Sequence, residues 1–348
     1  MTIYMKDFLI IKMSSLGDII HTLPALAALR KNFPQANIRW LVENKGKEIL
    51  DCVSGIDQVI AIQTKKWRLL SPESWKETSL IRRQTKGREQ TALDFQGLVK
   101  SGFFSYLSGA ETRIGFHRGN CREPLASLFY TDRIERVSED DHIISKNLKL
   151  LTRIGIEEDV YDFPIIIPES VRYSIAGRLE ELAYDGKRKL VILNIGAAWE
   201  TKRWAPARWV ELIRRLKAER TDLFPILLWG DESEQASAEH IKKETGIAMV
   251  PFLSIIEVLA LVERAVLVVS GDTFALQGAC ALSRPVVGIF GPTNPKRNGP
   301  FRDRDKVAFH ELSCSHCYKR KCASLNCLDK ITAEEVAGLC LELLRDND

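Results

Sequence analysis

The stretch Phe8-Leu9-Ile10-Ile11-Lys12-Met13-Ser14-Ser15-Leu16-Gly17-Asp18-Ile19-Ile20 carries two structural periods in succession. Four consecutive apolar residues read as a buried strand. A short polar turn follows, and Ile19, Ile20, Leu23, Leu26 and Leu29 then recur at helical spacing. A strand running through a turn into an amphipathic helix is the repeating unit of an α/β protein with parallel sheets. The unit continues outward from here. Residues 38–42 and 58–62 read as the next strands, and Ala92-Leu93-Asp94-Phe95 as a strand end opening into Gln96-Gly97. The segment Phe163-Pro164-Ile165-Ile166-Ile167-Pro168 is bounded by prolines and has no helix period, so it marks the approach to a domain junction, with a helix starting near Glu169. Beyond it the same grammar restarts. Residues 189–194, 225–229, 266–270 and 285–290 are apolar runs of strand type. They end in Gly196-Ala197-Ala198, Gly230, Gly271-Asp272-Thr273 and Gly291-Pro292-Thr293. The expected architecture is two doubly wound α/β domains facing one another, residues 1–167 and 168–348, with a final helix at about 332–345 that could pack back on the first.

A chain of 348 residues is long enough for two cores. Its 45% hydrophobic and 28% charged residues describe a folded, water-soluble protein, and a net charge of +4 does not imply a nucleic-acid partner. No apolar run is long enough to span a bilayer. Lys6, Asp7 and Lys12 interrupt the N-terminal apolar residues, against a secretory signal. The expected location is the cytoplasm, with contact at a membrane surface left open. The charge is unevenly spread. Between Lys65 and Arg88 eight basic residues stand against two acids, so Lys65, Lys66 and Arg68 could attract phosphates or carboxylates; a solvated helix face is the equal alternative.

Ligands of open α/β sheets bind beyond the carboxyl ends of the strands, where glycines let backbone N–H groups approach and helix dipoles favour anions. Four successive strand ends of this kind in the second half, with complementary side chains, point to a nucleotide site. There is no P-loop and no G-x-G-x-x-G, which excludes those two nucleotide-binding motifs. Lys202 and Arg203 lie just before Pro206, where a diphosphate would meet positive charge; ordinary surface cations are the alternative. Glu234 follows the strand ending at Trp229-Gly230 and can accept bonds from ribose hydroxyls, or belong to a solvated acidic loop. Asp272 and Thr273 open a helix, as caps, as sugar ligands, or as both. Asp18 sits just before the Ile19 helix, where an N-cap role is the alternative to a chemical one. There a carboxylate stays ionised and could take a proton from an attacking hydroxyl.

Segment Lys12-Met13-Ser14-Ser15-Leu16-Gly17-Asp18-Ile19-Ile20-His21-Thr22-Leu23-Pro24-Ala25-Leu26 strongly resembles the opening of the lipopolysaccharide heptosyltransferases, especially the type adding the first inner-core heptose. Residues 93–101 and 122–130 share the likeness, as do Lys202-Arg203-Trp204, Trp229-Gly230, Asp272-Thr273 and Gly291-Pro292-Thr293 in the family's order. The resemblance implies a GT-B fold, two Rossmann-like domains with a cleft between them. It also implies inverting transfer of L-glycero-D-manno-heptose from ADP-heptose to Kdo of the growing core, on Kdo-lipid A or a core acceptor, without a catalytic metal or cofactor. On that reading Asp18 is the general base, Lys202 neutralises the leaving diphosphate, Glu234 holds the ribose, Asp272 binds heptose hydroxyls and Thr273 helps at the phosphates. Lys65, Lys66, Arg68 and Arg122 would meet the acceptor. The family pattern reads Asp-Thr-Gly and then His, whereas this chain has Asp272-Thr273-Phe274-Ala275-Leu276-Gln277. A transferase for another nucleotide sugar or another core heptose position, or a non-catalytic nucleotide-sugar binder, therefore stands as the alternative.

Cys314, Cys317, Cys322 and Cys327 form a compact set whose thiolates could hold a structural zinc, although the spacing is not that of a paired finger. Asp303-Arg304-Asp305 superficially fits a metal–nucleotide acidic pair, but reads better as solvated charge. His21 and His142 show no partner pattern.

Overall fold

The computed structural model describes residues 6–63, 72–87 and 90–346, with the side chains of 72–77 excepted. The chain divides into two compact units, Met1–Ile166 and Ile167–Asp348.

In the first unit, strands β1 (Asp7–Ile11), β2 (Asn37–Glu43), β3 (Gln58–Ile62), β4 (Thr91–Asp94), β5 (Thr112–Gly115) and β6 (Asp132–Arg133) form one parallel sheet in the order β3-β2-β1-β4-β5-β6. The register places Ile10 between Trp40 on β2 and Leu93 on β4. All three are fully buried, as near-continuous apolar runs require when helices cover both faces of a sheet. Beneath one face, Leu9, Ile11, Met13, Leu41, Ile60, Ile81 and Phe104 pack as a single cluster. At roughly 1.5–3 kcal/mol for each large side chain removed from water, such a cluster is the main stabilising term of the unit. The segment after the last helix of the unit is clipped back onto it by Ile166 N donating to Cys52 O (2.7 Å) and Ser54 N to Pro164 O (2.9 Å). The proline-bounded stretch is thus a tied-down exit rather than a free linker.

The second unit opens with the helix Glu169–Glu181, beginning where the sequence predicts. Strands β7 (Lys189–Asn194), β8 (Leu223–Leu228), β9 (Ala248–Met249), β10 (Leu267–Gly271), β11 (Val286–Ile289) and β12 (Lys306–Ala308) form a second parallel sheet, β12-β11-β10-β7-β8-β9. Read from its own first strand, this order repeats that of the first unit. Both are dinucleotide-fold sheets, in which the order of strand addition reverses between two neighbouring, parallel central strands. Those pairs are β1 with β4 and β7 with β10.

The final helix, Ala333–Arg345, is capped by Thr332 and packs on the helix Pro206–Glu219 and on β10, β11 and β12. Its apolar face (Val336, Cys340, Leu343, Leu344) is buried within the second unit, and Trp204 Nε1 donates to Ile331 O at 3.1 Å just ahead of it. The run 302–306 corrects an expectation, since it is not simply solvated charge. The Asp305 carboxylate is fully buried, bonded to Arg302 (2.9 Å) and to Val286 N (3.3 Å), and so tethers edge strand β12 to β11. Asp303 and Arg304 are exposed, as expected.

Candidate active site

At the β1/β4 switch point of the first unit, one buried lysine organises the turn. Lys12 is 4% exposed; its Nζ donates to Phe95 O (2.8 Å), while its own carbonyl accepts from Trp40 Nε1 (3.0 Å). Gln96 Oε1 accepts from Met13 N (3.0 Å) and Ser14 N (3.2 Å), so the loop after β4 grips the loop after β1. Asp94 in turn shapes the β4 loop. Its Oδ1 accepts from Gln96 N and Gly97 N, and its Oδ2 from the Tyr130 hydroxyl at 2.8 Å. Burial raises the Asp94 carboxyl, against hydrogen bonds from Ser101, Gln96, Tyr130 and Gly97. Gly97 has φ +67°, and a side chain there would press on the backbone of Cys121 at 3.3 Å.

On this frame the helix Leu16–Ile20 begins, with Ser15 as its N-cap. Asp18 lies in the first turn, half-buried. Its Oδ2 accepts from Ser15 N (3.0 Å) and Ser15 Oγ (2.9 Å). Burial opposes its charge, but Lys12, His21 and the two Ser15 bonds outweigh it and lower the pKa to about 2. The group is an anion at every physiological pH. His21, 3% exposed, stands edge-on to His142 at 5.9 Å, and His142 stacks on Tyr161 at 6.3 Å. Nothing in the residue pattern signals that Lys12 and His21 act on Asp18. They lie six residues before and three after it, on different elements.

In the second unit, Asn194 at the end of β7 spans the switch point. Its Nδ2 donates to Ser270 Oγ (2.8 Å), to Thr273 Oγ1 (3.0 Å) and to Gly196 O (3.2 Å). Lys202 Nζ donates to Asp272 Oδ2 (2.7 Å) and to Asp272 O (3.1 Å), with both side chains largely buried. The same ammonium lies 4.5 Å above the Trp199 ring. Thr273 stands at the N-cap position of the helix Phe274–Ala281 without a side-chain cap bond. Glu234, 6% exposed, accepts from Gly230 N at 2.7 Å and faces Arg203 at 3.1 Å. It lies across Gly196 so closely that a Cβ at that glycine would come within 2.0 Å of Glu234 Oε2. The fold thus gathers Lys202, Glu234, Asp272 and Thr273 at the carboxyl edge of one sheet. Arg203 has a different task from Lys202: its guanidinium is held by Ala197 O, Ser233, Asp231 and Glu234, which makes it a brace for the β8 loop. Gln277 is also internal, 2% exposed and donating to Asn298 O at 2.7 Å.

Other expected residues stand apart. Lys65, Lys66 and Arg68 lie outside the described residues. Arg122 is exposed, beside Gly97 in the first unit. The four clustered cysteines are free thiols, Cys314 and Cys322 exposed. Among the described residues no three His, Cys, Asp or Glu side chains are arranged to hold a metal ion. The sequence places the thiols close along the chain, but positive φ at His316, Tyr318 and Leu325 turns the backbone between them. No helix among the described residues is long and apolar enough to cross a membrane.

The model of glycosyltransferase family 9 (heptosyltransferase) matches residues 78–328. Lipopolysaccharide heptosyltransferase 1 of Pseudomonas aeruginosa is 30% identical over 90% of this chain and 86% of its own length. The enzyme of that name from Salmonella typhimurium is 30% identical over 82% and 89%. Among solved structures, the Escherichia coli heptosyltransferase WaaC with ADP has a TM-score of 0.77 at 26% identity, covering 97% of this chain and 99% of its own. A family 9 glycosyltransferase from Veillonella parvula reaches 0.82 at 20% identity, over 98% and 97%, and shares the fold. The paired switch points and these matches along nearly the whole chain lead to one assignment: it belongs to glycosyltransferase family 9, the heptosyltransferases.

Proposed function

We propose that this heptosyltransferase moves L-glycero-D-manno-heptose from ADP-heptose to Kdo of the lipopolysaccharide inner core, with inversion at the anomeric carbon. The observation that carries the reading is the Lys202–Asp272 pair at the β7/β10 switch point, with Glu234 and Thr273 at neighbouring strand ends. The relatives' names support it: they are lipopolysaccharide heptosyltransferases, and WaaC has been solved with ADP and with ADP-2-deoxy-2-fluoro heptose.

In the proposed step the acceptor hydroxyl oxygen attacks the anomeric carbon. The bond from that carbon to the β-phosphate oxygen breaks, and ADP leaves with the electron pair. The hydroxyl proton passes to Asp18. A carboxylate of pKa about 2 has little affinity for the proton of a resting alcohol. It accepts that proton as the new C–O bond forms, when the oxygen becomes strongly acidic. Lys202 meets the negative charge growing on the diphosphate. Drawing its ammonium toward the phosphates frees the Asp272 carboxylate for sugar hydroxyls, so one event prepares both ligands. Glu234 takes the ribose, and Thr273 assists at the phosphates. Lys65, Lys66, Arg68 and Arg122 meet the acidic acceptor, and the enzyme works at the cytoplasmic surface of the membrane that holds it. No metal enters this scheme, because the lysine supplies the countercharge.

Asp18→Ala tests the mechanism. Transfer falls roughly 100-fold or more while ADP affinity is kept; unchanged turnover rejects the general-base role. Phe274, half-exposed in the first turn of its helix, favours a second reading, in which a different nucleotide sugar is the donor. A thermal-shift comparison of ADP-heptose with other nucleotide sugars decides between them.

A further inference from the structure

The four-cysteine segment is stitched to the donor edge of the second sheet rather than standing free. Thr201 Oγ1, in the loop after β7, donates to Lys319 O at 2.7 Å. Tyr318 N donates to Pro292 O at 3.1 Å, and the Tyr318 hydroxyl accepts from Asn294 N at 3.3 Å, both partners lying in the loop after β11. Farther along, Cys327 and Leu328 close over Gly291; a Cβ there would stand 3.2 Å from Cys327 Sγ and 2.9 Å from Leu328. The segment therefore straps together two strand-end loops that flank β10.

Its position brings a charge with it. Arg320 is exposed, and its guanidinium carbon lies 5.2 Å from the centroid of the Trp199 ring. Lys202 Nζ lies 4.5 Å from the same centroid. One indole thus orders two cations from remote parts of the chain. Cation–π contact holds a side chain in place without neutralising it, so the charge remains available to an anion. Lys202 is countered by Asp272, whereas Arg320 makes its one described contact with the ring.

We infer that Arg320 is a second cation for the donor diphosphate, presented beside Lys202 by the cysteine strap and by Trp199. The inference rests on the reading of the Lys202 edge as the diphosphate site. A planar guanidinium can take two phosphate oxygens at once, and Lys202 can act as a point charge on the others. Thr201, Pro292 and Asn294 are positioning residues, which set the strap.

Calorimetric titration of the full chain with ADP and with adenosine, for wild type, Arg320→Gln and Lys202→Ala, tests this. Arg320→Gln is expected to weaken ADP binding about tenfold and to leave adenosine binding unchanged. Its salt dependence of ADP binding falls below that of wild type, its melting temperature is unaltered because the side chain is exposed, and Arg320→Lys recovers part of the loss. If Lys202→Ala loses ADP affinity while Arg320→Gln matches wild type, the Arg320 inference is overturned and the donor site stands. If neither substitution alters ADP binding, the reading of this edge as the diphosphate site fails as well. Equal losses for ADP and adenosine in Arg320→Gln also overturn the inference, since the residue then acts on the loop and not on phosphate.

Discussion

Asp18 shows how a single carboxylate can be tuned by groups from several elements. Its ordinary pKa of 3.8 drops to about 2 because Lys12, His21 and Ser15 together outweigh burial. A group depressed in the folded state stabilises it above its unfolded pKa, and that stability is lost as pH falls through the folded value. Asp18→Asn is therefore expected to lower stability at pH 7 by up to about 2 kcal/mol, with the deficit closing between roughly pH 4 and pH 2. Melting curves across that range check the sign; a deficit that grows toward low pH would contradict it. The same depression means that Asp18 ionisation produces no acid limb in kcat/KM above about pH 4. At Gly196 the argument is steric. Gly196→Ala drives a Cβ into Glu234 Oε2, and displacing a carboxylate held by Gly230 and Arg203 should cost roughly 1–3 kcal/mol and weaken ADP binding. Denaturant titration and calorimetry would register both losses, and a fully stable variant would show that Glu234 is free to move.

Among the elements, the helix Ala333–Arg345 is part of the second unit's core, with Leu343 and Leu344 almost completely buried. Leu343→Ala should destabilise the second unit by roughly 2–5 kcal/mol, measured by denaturant unfolding. A change under about half a kcal/mol would mean the helix is dispensable to that unit. The cysteine segment is held by backbone and hydroxyl bonds to two strand-end loops. Metal analysis of protein purified without added zinc is accordingly expected to give a substoichiometric value, with activity unaffected by chelator. Stoichiometric zinc whose removal abolishes activity would refute that view. Outer strands β5, β6, β9 and β12 escaped the sequence reading because they are short. β6 has two residues and β9 two, too few to establish a period.

Across the whole molecule, the two units repeat one strand order, and every described candidate for donor binding lies in the second. Hydrogen exchange with ADP added should protect the loops at 194–204, 230–234 and 271–273 and leave the β1 turn unchanged. Protection concentrated near Asp18 would reverse the proposed division of labour. Central strands and their glycine-ended loops were legible from residues alone, because a strand buried on both faces must be continuously apolar and must break where it ends. The family likeness of the opening segment likewise lies in contiguous residues. Local pattern therefore determined the α/β class and the junction near Glu169, and together with the family likeness it singled out Asp18, Lys202, Glu234, Asp272 and Thr273 as candidates. What those residues touch was decided only by tertiary structure. Lys202 meets Asp272 across seventy residues, and Arg320 shares an indole with Lys202 from more than a hundred residues away. Charge pairing and burial depend on distance in space, and sequence period reports only distance along the chain.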